Sequence, residues 1–219
     1  MDLSYIVRIV PALLRGAGVT LALFALVFPL SLPLGFLVTL CANCRFKPVK
    51  WLAEAYIFVM RGTPLMLQLF FFYYGLPFLP GIGQYLRLSS FAAAALSFTL
   101  NYAAYFAGIF RGGLLSIDRG QYEVSHVLGL TSFQTMTRII IPQMIRVTLP
   151  SIGNEAITLV KDTALVASIA LPELLHYAKG IVTRDFTTTP FIVAAFIYLL
   201  ITFVVTVLFK FAERKTNYE

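Results

Sequence analysis

Four long stretches of this chain carry no charged side chain. They are Gly16–Cys44 (29 residues), Gly62–Leu86 (25), Leu88–Phe110 (23) and Phe186–Phe209 (24). A helix rises about 1.5 Å per residue, so about 20 apolar residues cross the hydrocarbon of a bilayer. Each stretch is long enough. A fifth, Val147–Leu171, is mostly apolar over its 25 residues but contains Glu155, Lys161 and Asp162. The pattern predicts five membrane helices, over Gly16–Ala42, Trp51–Phe78, Ser90–Arg111, Leu149–Leu171 and Thr189–Glu213. Pro172 is a stop for the fourth, because the residue before a proline is biased away from helical geometry. Pro77, Pro80, Gly81 and Gly83 mark a loop between the second and third. There is no internal repeat and no low-complexity tract.

Composition agrees with the pattern. Of 219 residues, 59% are hydrophobic and 12% charged, against about 25% charged in soluble proteins. Soluble, disordered and disulfide-stapled folds are excluded, which leaves an all-α integral membrane protein. It reads as one domain over 16–213, with a segment 1–15 on the outer side and a tail 214–219. The first apolar run exceeds the about 7–15 residues of a signal-peptide core and no convincing cleavage site follows it. The net charge of +7 resembles a nucleic-acid signal until its placement is considered. With five spans, one side receives Arg45, Lys47, Lys50, Arg111, Arg119, Arg138, Arg146, Lys210, Arg214 and Lys215, ten in all. The other side receives Arg8, Arg15, Arg87, Lys179 and Arg184, which is five. The positive-inside rule puts the ten in the cytoplasm, with the N-terminus outside and the C-terminus inside. Four spans score nearly the same, so the fifth rests on the apolar run around Lys161 and the basic cluster after the last span. Orientation and inner-leaflet contact account for the excess, and no nucleic-acid partner is needed. Cys41 and Cys44 form a lone CxxC. Zinc needs about four ligands and His126 and His176 are distant, so they read as ordinary small residues.

Ionisable residues at membrane depth are costly and usually mark a pathway. Ser151, Glu155, Thr158 and Asp162 are spaced to share one helix face, with Asn154, Thr158 and Lys161 on its adjoining edge. Lys161 and Asp162, as neighbours in sequence, point about 100° apart and do not pair with each other. In the third predicted helix Ser97, Asn101, Tyr105 and Gly108 form a matching stripe. Two such stripes facing each other would make a hydrated cavity. For Asn101, interhelical glue and solute contact are equally open. In the second helix, Pro64 within Arg61-Gly62-Thr63-Pro64 removes a backbone donor and clashes with the Met60 carbonyl, so a kink or break is expected. Thr63 is a candidate cap for a half-helix starting at Pro64, and Arg61 beside it suits a carboxylate. The bland alternative has Arg61 reaching the cytoplasmic interface and the proline only shaping the helix.

The longest polar stretch, Arg111–Arg146, contains Glu123, then Gly129, then Ile139, Ile141 and Pro142. This spacing resembles the EAA loop (E-A-A-x3-G-x9-I-x-L-P) of permease subunits in bacterial ATP-driven importers. Val124 and Ser125 replace the two alanines, and Ile141 replaces leucine. Arg61-Gly62-Thr63-Pro64-Leu65 with Gln68, Ser116-Ile117-Asp118 before Gly120-Gln121, and Lys161-Asp162-Thr163-Ala164-Leu165 are similar to the polar amino acid permease group, with the cystine-type subgroup nearest. The likeness runs from Gly16-Ala17-Gly18-Val19-Thr20 to the final span.

The resemblance implies a type I ABC importer permease fold of five transmembrane helices with a cytoplasmic coupling helix near Gln121–Gly129. It implies a second permease subunit, identical or homologous, a cytoplasmic ATP-binding subunit and a soluble or lipid-anchored amino-acid-binding protein in a bacterial inner membrane. Arg119, Glu123, Gly129 and Pro142 are then the ATPase-coupling candidates; alternatively the two charges are ordinary solvated loop residues. The chain lacks GxxxxGK[ST], so ATP would be bound by the partner; no cofactor, metal or catalytic residue is expected here, and the chain is not an enzyme. Substrate-binding candidates are Arg61, Gln68, Asn101, Tyr105, Glu155, Thr158, Lys161 and Asp162, for a cystine, glutamine or basic amino acid moved by alternating access. Glu155 and Asp162 would meet an ammonium, and Lys161 or Arg61 a carboxylate. Lys161 and Asp162 have a second reading as structural ions. The rivals are an ion-gradient-driven secondary transporter, which usually shows an internal repeat, and a membrane enzyme, which needs a nucleophile–base pair or metal ligands.

Overall fold

The computed structural model describes residues 3–217, and their regular structure is entirely helical. Of the flanking segments named above, residues 1–2 and 218–219 lie outside the described residues. The first helix, α1 (Leu3–Ala42), is 40 residues long, about 60 Å, and starts well before the expected Gly16. Arg8 and Arg15 break its charge-free run, but a second helix covers it there. That helix, α8 (Leu174–Asp185), packs Leu174, Ala178 and Ile181 on Ile9, Leu13 and Ala17 of α1. The Tyr5 hydroxyl donates to Asp185 at 2.7 Å. Hydrogen bonds from Arg184 and from that hydroxyl hold the Asp185 carboxyl down to about 2, so the link stays charged at any physiological pH.

The predicted helix Trp51–Phe78 is two helices. These are α2 (Lys47–Gly62) and α3 (Leu65–Phe70), the latter continuing through a π turn, Phe71–Gly75, and a tight turn, Leu76–Phe78. Their axes differ by 104°. Helix α4 (Ser90–Ser116) starts where Ser89 accepts the Ala92 N–H and runs past the expected Arg111. Two short helices, α5 (Arg119–Val127) and α6 (Ser132–Thr135), form an elbow that leads through a π turn, Met136–Ile140, into α7 (Ile141–Asp162). The regular part of α7 therefore begins and ends earlier than the expected Leu149–Leu171. It tightens into a 3-10 segment, Thr163–Ile169, closed by Ala170 at φ 57°. The chain finishes on α9 (Thr189–Asn217). By length and apolarity α1, α4 and α9 each suffice to cross a membrane, and the bent α2–α3 pair makes a fourth. Helix α7 falls short by composition, since it carries the charges.

Side-chain contacts fix the helix directions. Phe28 meets Phe106 and Phe36 meets Phe110, so α1 and α4 run the same way. Phe28 also meets Phe209, and Tyr198 and Thr20 both meet Glu173, so α9 runs with them. Tyr102 bonds Asp162 while Gly113 sits on Met144 and Thr148, so α7 runs opposite. The ends of α1, α4 and α9 and the start of α7 therefore share one side, which gathers the ten basic residues counted above.

The core is aromatic. Phe98, Tyr102 and Phe106 of α4 are fully buried with Leu23 and Val27 of α1, Leu69 of α3 and Leu159 of α7. Close approach of α1 to α4 depends on Gly35, where a methyl group would lie 2.7 Å from Phe106 Cβ and 2.8 Å from the Ala103 carbonyl oxygen. At Gly18 the same methyl would meet nothing within 4 Å. Overpacking a close helix contact costs about 1–3 kcal/mol, whereas alanine is the better helix former where space is free. Gly35→Ala is thus expected to lower the thermal midpoint of the detergent-solubilised protein, and Gly18→Ala to leave it level or raise it. Equal shifts for the two variants would refute the close packing at Gly35.

Candidate functional site

A proline inside a helix orphans the carbonyl four residues earlier, because it has no N–H to donate. Pro64 does this to Met60, which is half-buried, and an orphaned carbonyl away from water is costly. Two side-chain amides repair the loss. Gln68 Nε2 donates to the Met60 carbonyl at 2.9 Å, and Asn101 Nδ2 donates to the same oxygen at 3.0 Å. Gln68 Nε2 also reaches Thr63 Oγ1 at 2.7 Å, and its Oε1 accepts from Asn101 Nδ2 at 3.0 Å. Thr63 ends α2, its N–H and hydroxyl both donating to the Val59 carbonyl at 3.1 and 2.8 Å. It is therefore the last-turn cap of α2 and does not cap the half-helix that follows, which starts at Leu65 without a side-chain cap.

The bend leaves a cavity of about 410 Å³ between the break, α4 and α7. Of the eight proposed substrate residues, six line it: Arg61, Asn101, Tyr105, Glu155, Thr158 and Asp162. The Arg61 guanidinium lies 5.2 Å from the centre of the Tyr105 ring, a cation–π contact worth about 0.5–1 kcal/mol. It fits because residue 108 is glycine: a Cβ there would come within 2.8 Å of an Arg61 terminal nitrogen. Asp162 accepts the Tyr102 hydroxyl at 2.7 Å. Glu155, seven residues earlier on the same face, makes no hydrogen bond or ion pair among the described residues, and Arg61 likewise has no carboxylate within 4.0 Å. Two carboxylates and one guanidinium thus face one hollow, for a formal lining charge of minus one.

Two proposed residues lie elsewhere. Gln68 is buried and spends its amide on the break, outside the cavity lining. Lys161 is exposed and borders a separate groove with Ala164, Tyr198 and Thr202, which Asp162 does not line. Of the flanking stripe, Ser97 is fully buried and its hydroxyl has no partner among the described residues. Tyr102 was not foreseen; the available signal was a phenol next to Asn101 on a membrane helix, whose hydroxyl must find an acceptor. Glu173 was also missed. It is fully buried, caps α8 through the His176 N–H at 2.7 Å and accepts the Tyr198 hydroxyl at 2.6 Å. Gly16 makes room for it, a Cβ there coming within 2.8 Å of the Glu173 backbone.

The coupling candidates lie on the elbow. Asp118 caps α5 through the Gly120 N–H at 2.6 Å, and Arg119 and Glu123 are exposed on that helix. Gly129 has φ 73°. Its N–H donates to the His126 carbonyl and the Leu130 N–H to the Ser125 carbonyl, both at 3.0 Å, which is a Schellman ending that a side chain at the left-handed residue would strain. Pro142 occupies the first turn of α7, directly after the π turn Met136–Ile140. Val127, Leu128 and Phe133 are 88%, 69% and 77% exposed, so the elbow presents an apolar face.

A family model described as binding-protein-dependent transport system inner membrane component matches residues 31–218. The chain is 36% identical over 217 residues to the arginine transport system permease protein ArtQ of Bacillus subtilis (strain 168), covering 98% of this chain and 97% of that one. It is 34% identical to the L-cystine transport system permease protein TcyB of the same organism, over 94% of this chain and 87% of that one. A crystal structure of an amino acid ABC transporter with histidines superposes with a TM-score of 0.88 at 33% identity, over 98% and 99% of the two chains. An inward-facing MetNI methionine ABC transporter has a TM-score of 0.74 at 17% identity, over 99% of each chain, and shares the fold.

The break repair is open to measurement. Gln68→Met keeps the volume but removes one of the two acceptors of the Asn101 amide and one of the two donors to the Met60 carbonyl, at a cost of about 1–3 kcal/mol for an unmet buried partner. A clear drop in thermal midpoint is expected. An unchanged midpoint would return Gln68 to the pool of solute contacts.

Proposed function

The chain belongs to the binding-protein-dependent transport system inner membrane component family, and on that footing we propose that its central cavity receives a cationic amino acid. It is the permease subunit of an amino-acid ABC importer, a multi-pass inner-membrane protein with the type I permease fold. It is a transport subunit and not an enzyme; the ATPase is a separate partner. The family also implies a substrate-binding protein and a second permease subunit. The observation that carries the substrate reading is the charge of the cavity. Arg61 is free to take the α-carboxylate, one of Glu155 and Asp162 takes the α-ammonium, and the other is left for a positive side chain. A desolvated charge with no partner is expensive, so a neutral amino acid would leave one carboxylate unmet.

The same geometry supports finer assignments. The elbow formed by α5 and α6 is the docking surface for the ATPase, with Val127, Leu128 and Phe133 as the apolar contact and Arg119 and Glu123 at its rim. The basic end of the bundle faces the cytoplasm and α8 faces outward, where the binding protein delivers its cargo. ATP-driven closure of two ATPases moves the elbows and turns the cavity from one side to the other. A secondary transporter is not favoured, since members of this family depend on a binding protein.

With the ATPase and binding protein reconstituted in proteoliposomes, arginine or lysine should stimulate ATP hydrolysis more than glutamine or cystine does. Glu155→Gln and Asp162→Asn should each reduce that stimulation roughly ten- to a hundredfold, the value of a charge-assisted hydrogen bond. Unchanged uptake in both variants would remove the cavity from the transport path. In the same assay Gly129→Val forces a β-branched residue to φ 73° and costs about 1–2 kcal/mol locally. Normal membrane insertion with uncoupled or lost transport is the expected result, and full ATP-driven uptake would overturn the role given to the elbow.

A further inference from the structure

A second hollow, unconnected with the transport cavity, lies on the outside of the bundle. It has a volume of about 440 Å³ and runs between α1 and α2, with Leu37 and Cys41 on one wall, Leu52 and Ala53 on the other, and Tyr56 and Leu100 at its floor. The Tyr56 hydroxyl is spent on the Leu100 carbonyl, so the hollow presents only apolar surface. Leu37 and Leu52 on its rims are 57% and 74% exposed, which opens it to the surroundings.

One end of this trough is strongly basic. Helix α1 stops at Ala42 and α2 starts at Lys47, and the turn between them carries Arg45 and Lys47, both exposed. Cys41 and Val49, on either side of that turn, are themselves part of the trough wall. The first turn of α2 contains no acidic side chain. Lys50 is paired with Glu54 at 3.9 Å, which leaves Arg45 and Lys47 as uncompensated cations among the described residues. Phe46 and Trp51 flank them, each 65% exposed, as aromatic side chains do at the level of lipid headgroups. An apolar trough ending in two free cations is the complement of one molecule with a long hydrocarbon chain and an anionic head.

We propose that the trough between α1 and α2 holds an acyl chain of an anionic phospholipid whose headgroup phosphate is bound by Arg45 and Lys47. The occupant comes from the leaflet on the basic side of the bundle, whichever face of the membrane that is. The site is therefore independent of the orientation and of the substrate reading given above.

Trp51 is the chain's single tryptophan and adjoins the site, so the protein carries its own reporter. The purified full chain is placed in phosphatidylcholine vesicles doped with equal mole fractions of either phosphatidylglycerol or phosphatidylcholine brominated on the acyl chains, and quenching of Trp51 is measured. Brominated phosphatidylglycerol should quench more strongly. Arg45→Gln and Lys47→Gln should each lower its relative association constant about fivefold. Ala53→Phe fills the trough without touching the cations and should abolish the preference. Because Arg45 and Lys47 are on the surface, their arm reads out even if the bulky substitution harms folding. Equal quenching by the two lipids overturns the proposal. So does a preference that survives Ala53→Phe, which reduces it to headgroup adsorption, or one removed by millimolar glycerophosphate, which makes the site a free-anion site. Oxidative cross-linking of two copies through Cys41, in a chain carrying Cys44→Ser, would put a second copy in the trough and overturn it as well.

Discussion

Pro64 has no hydrogen to give the Met60 carbonyl, and most of the interior is arranged around that missing bond. In water the oxygen would be solvated; inside a bundle it has to be met by another side chain. Gln68 and Asn101 meet it together, and the same two amides bond each other. The price of the repair is that α3 leaves α2 at 104°. That turn opens the space that Arg61, Glu155 and Asp162 then line. The cavity is thus a consequence of a helix defect, and of the two amides that mend the defect one, Asn101, also lines it.

Charge inside the bundle is distributed by neighbourhood. Asp162 has a phenol, Glu155 has none of the described residues as a partner, and Arg61 has only an aromatic ring. Glu173, by contrast, is met on several sides by the His176 amide, the Tyr198 hydroxyl and Thr20. The two kinds of acid divide the work. Glu173 fastens α8 and α9 to α1 and has no capacity left for a ligand, while the cavity carboxylates are held in place with capacity to spare.

The helical stripes were legible because they depend on spacing within one segment. Asn101 with Tyr105, and Glu155 with Thr158 and Asp162, reach the cavity as an i, i+4 or i+7 pattern on a rigid helix must. The break was legible too, because proline chemistry is local, although the role of Thr63 was not. What spacing does not reveal is which face a neighbouring helix covers. Lys161 is one residue from Asp162 and ends in a different groove, and Gln68 is drawn inward by a carbonyl eight residues earlier. Helix α8 is 12 residues long and carries His176, Lys179, Arg184 and Asp185, so no search for apolar membrane-length runs finds it. Glu173 and its partner Thr20 stand 153 residues apart, a distance no local pattern spans.

Arg61, Gly62 and Tyr105 line not only the central cavity but also a neighbouring cleft of about 510 Å³ that extends to Glu54 and Arg111. One side chain and one ring are therefore the shared partition between two compartments. It is a thin partition, steadied by a contact of about 1 kcal/mol and by the bare backbone at Gly108. A conduit that must never leak cannot rely on helix movements alone when its dividing wall is a single rotamer. On the substrate reading proposed above, a bound carboxylate would pin the guanidinium more firmly than the ring does and so close the door behind itself.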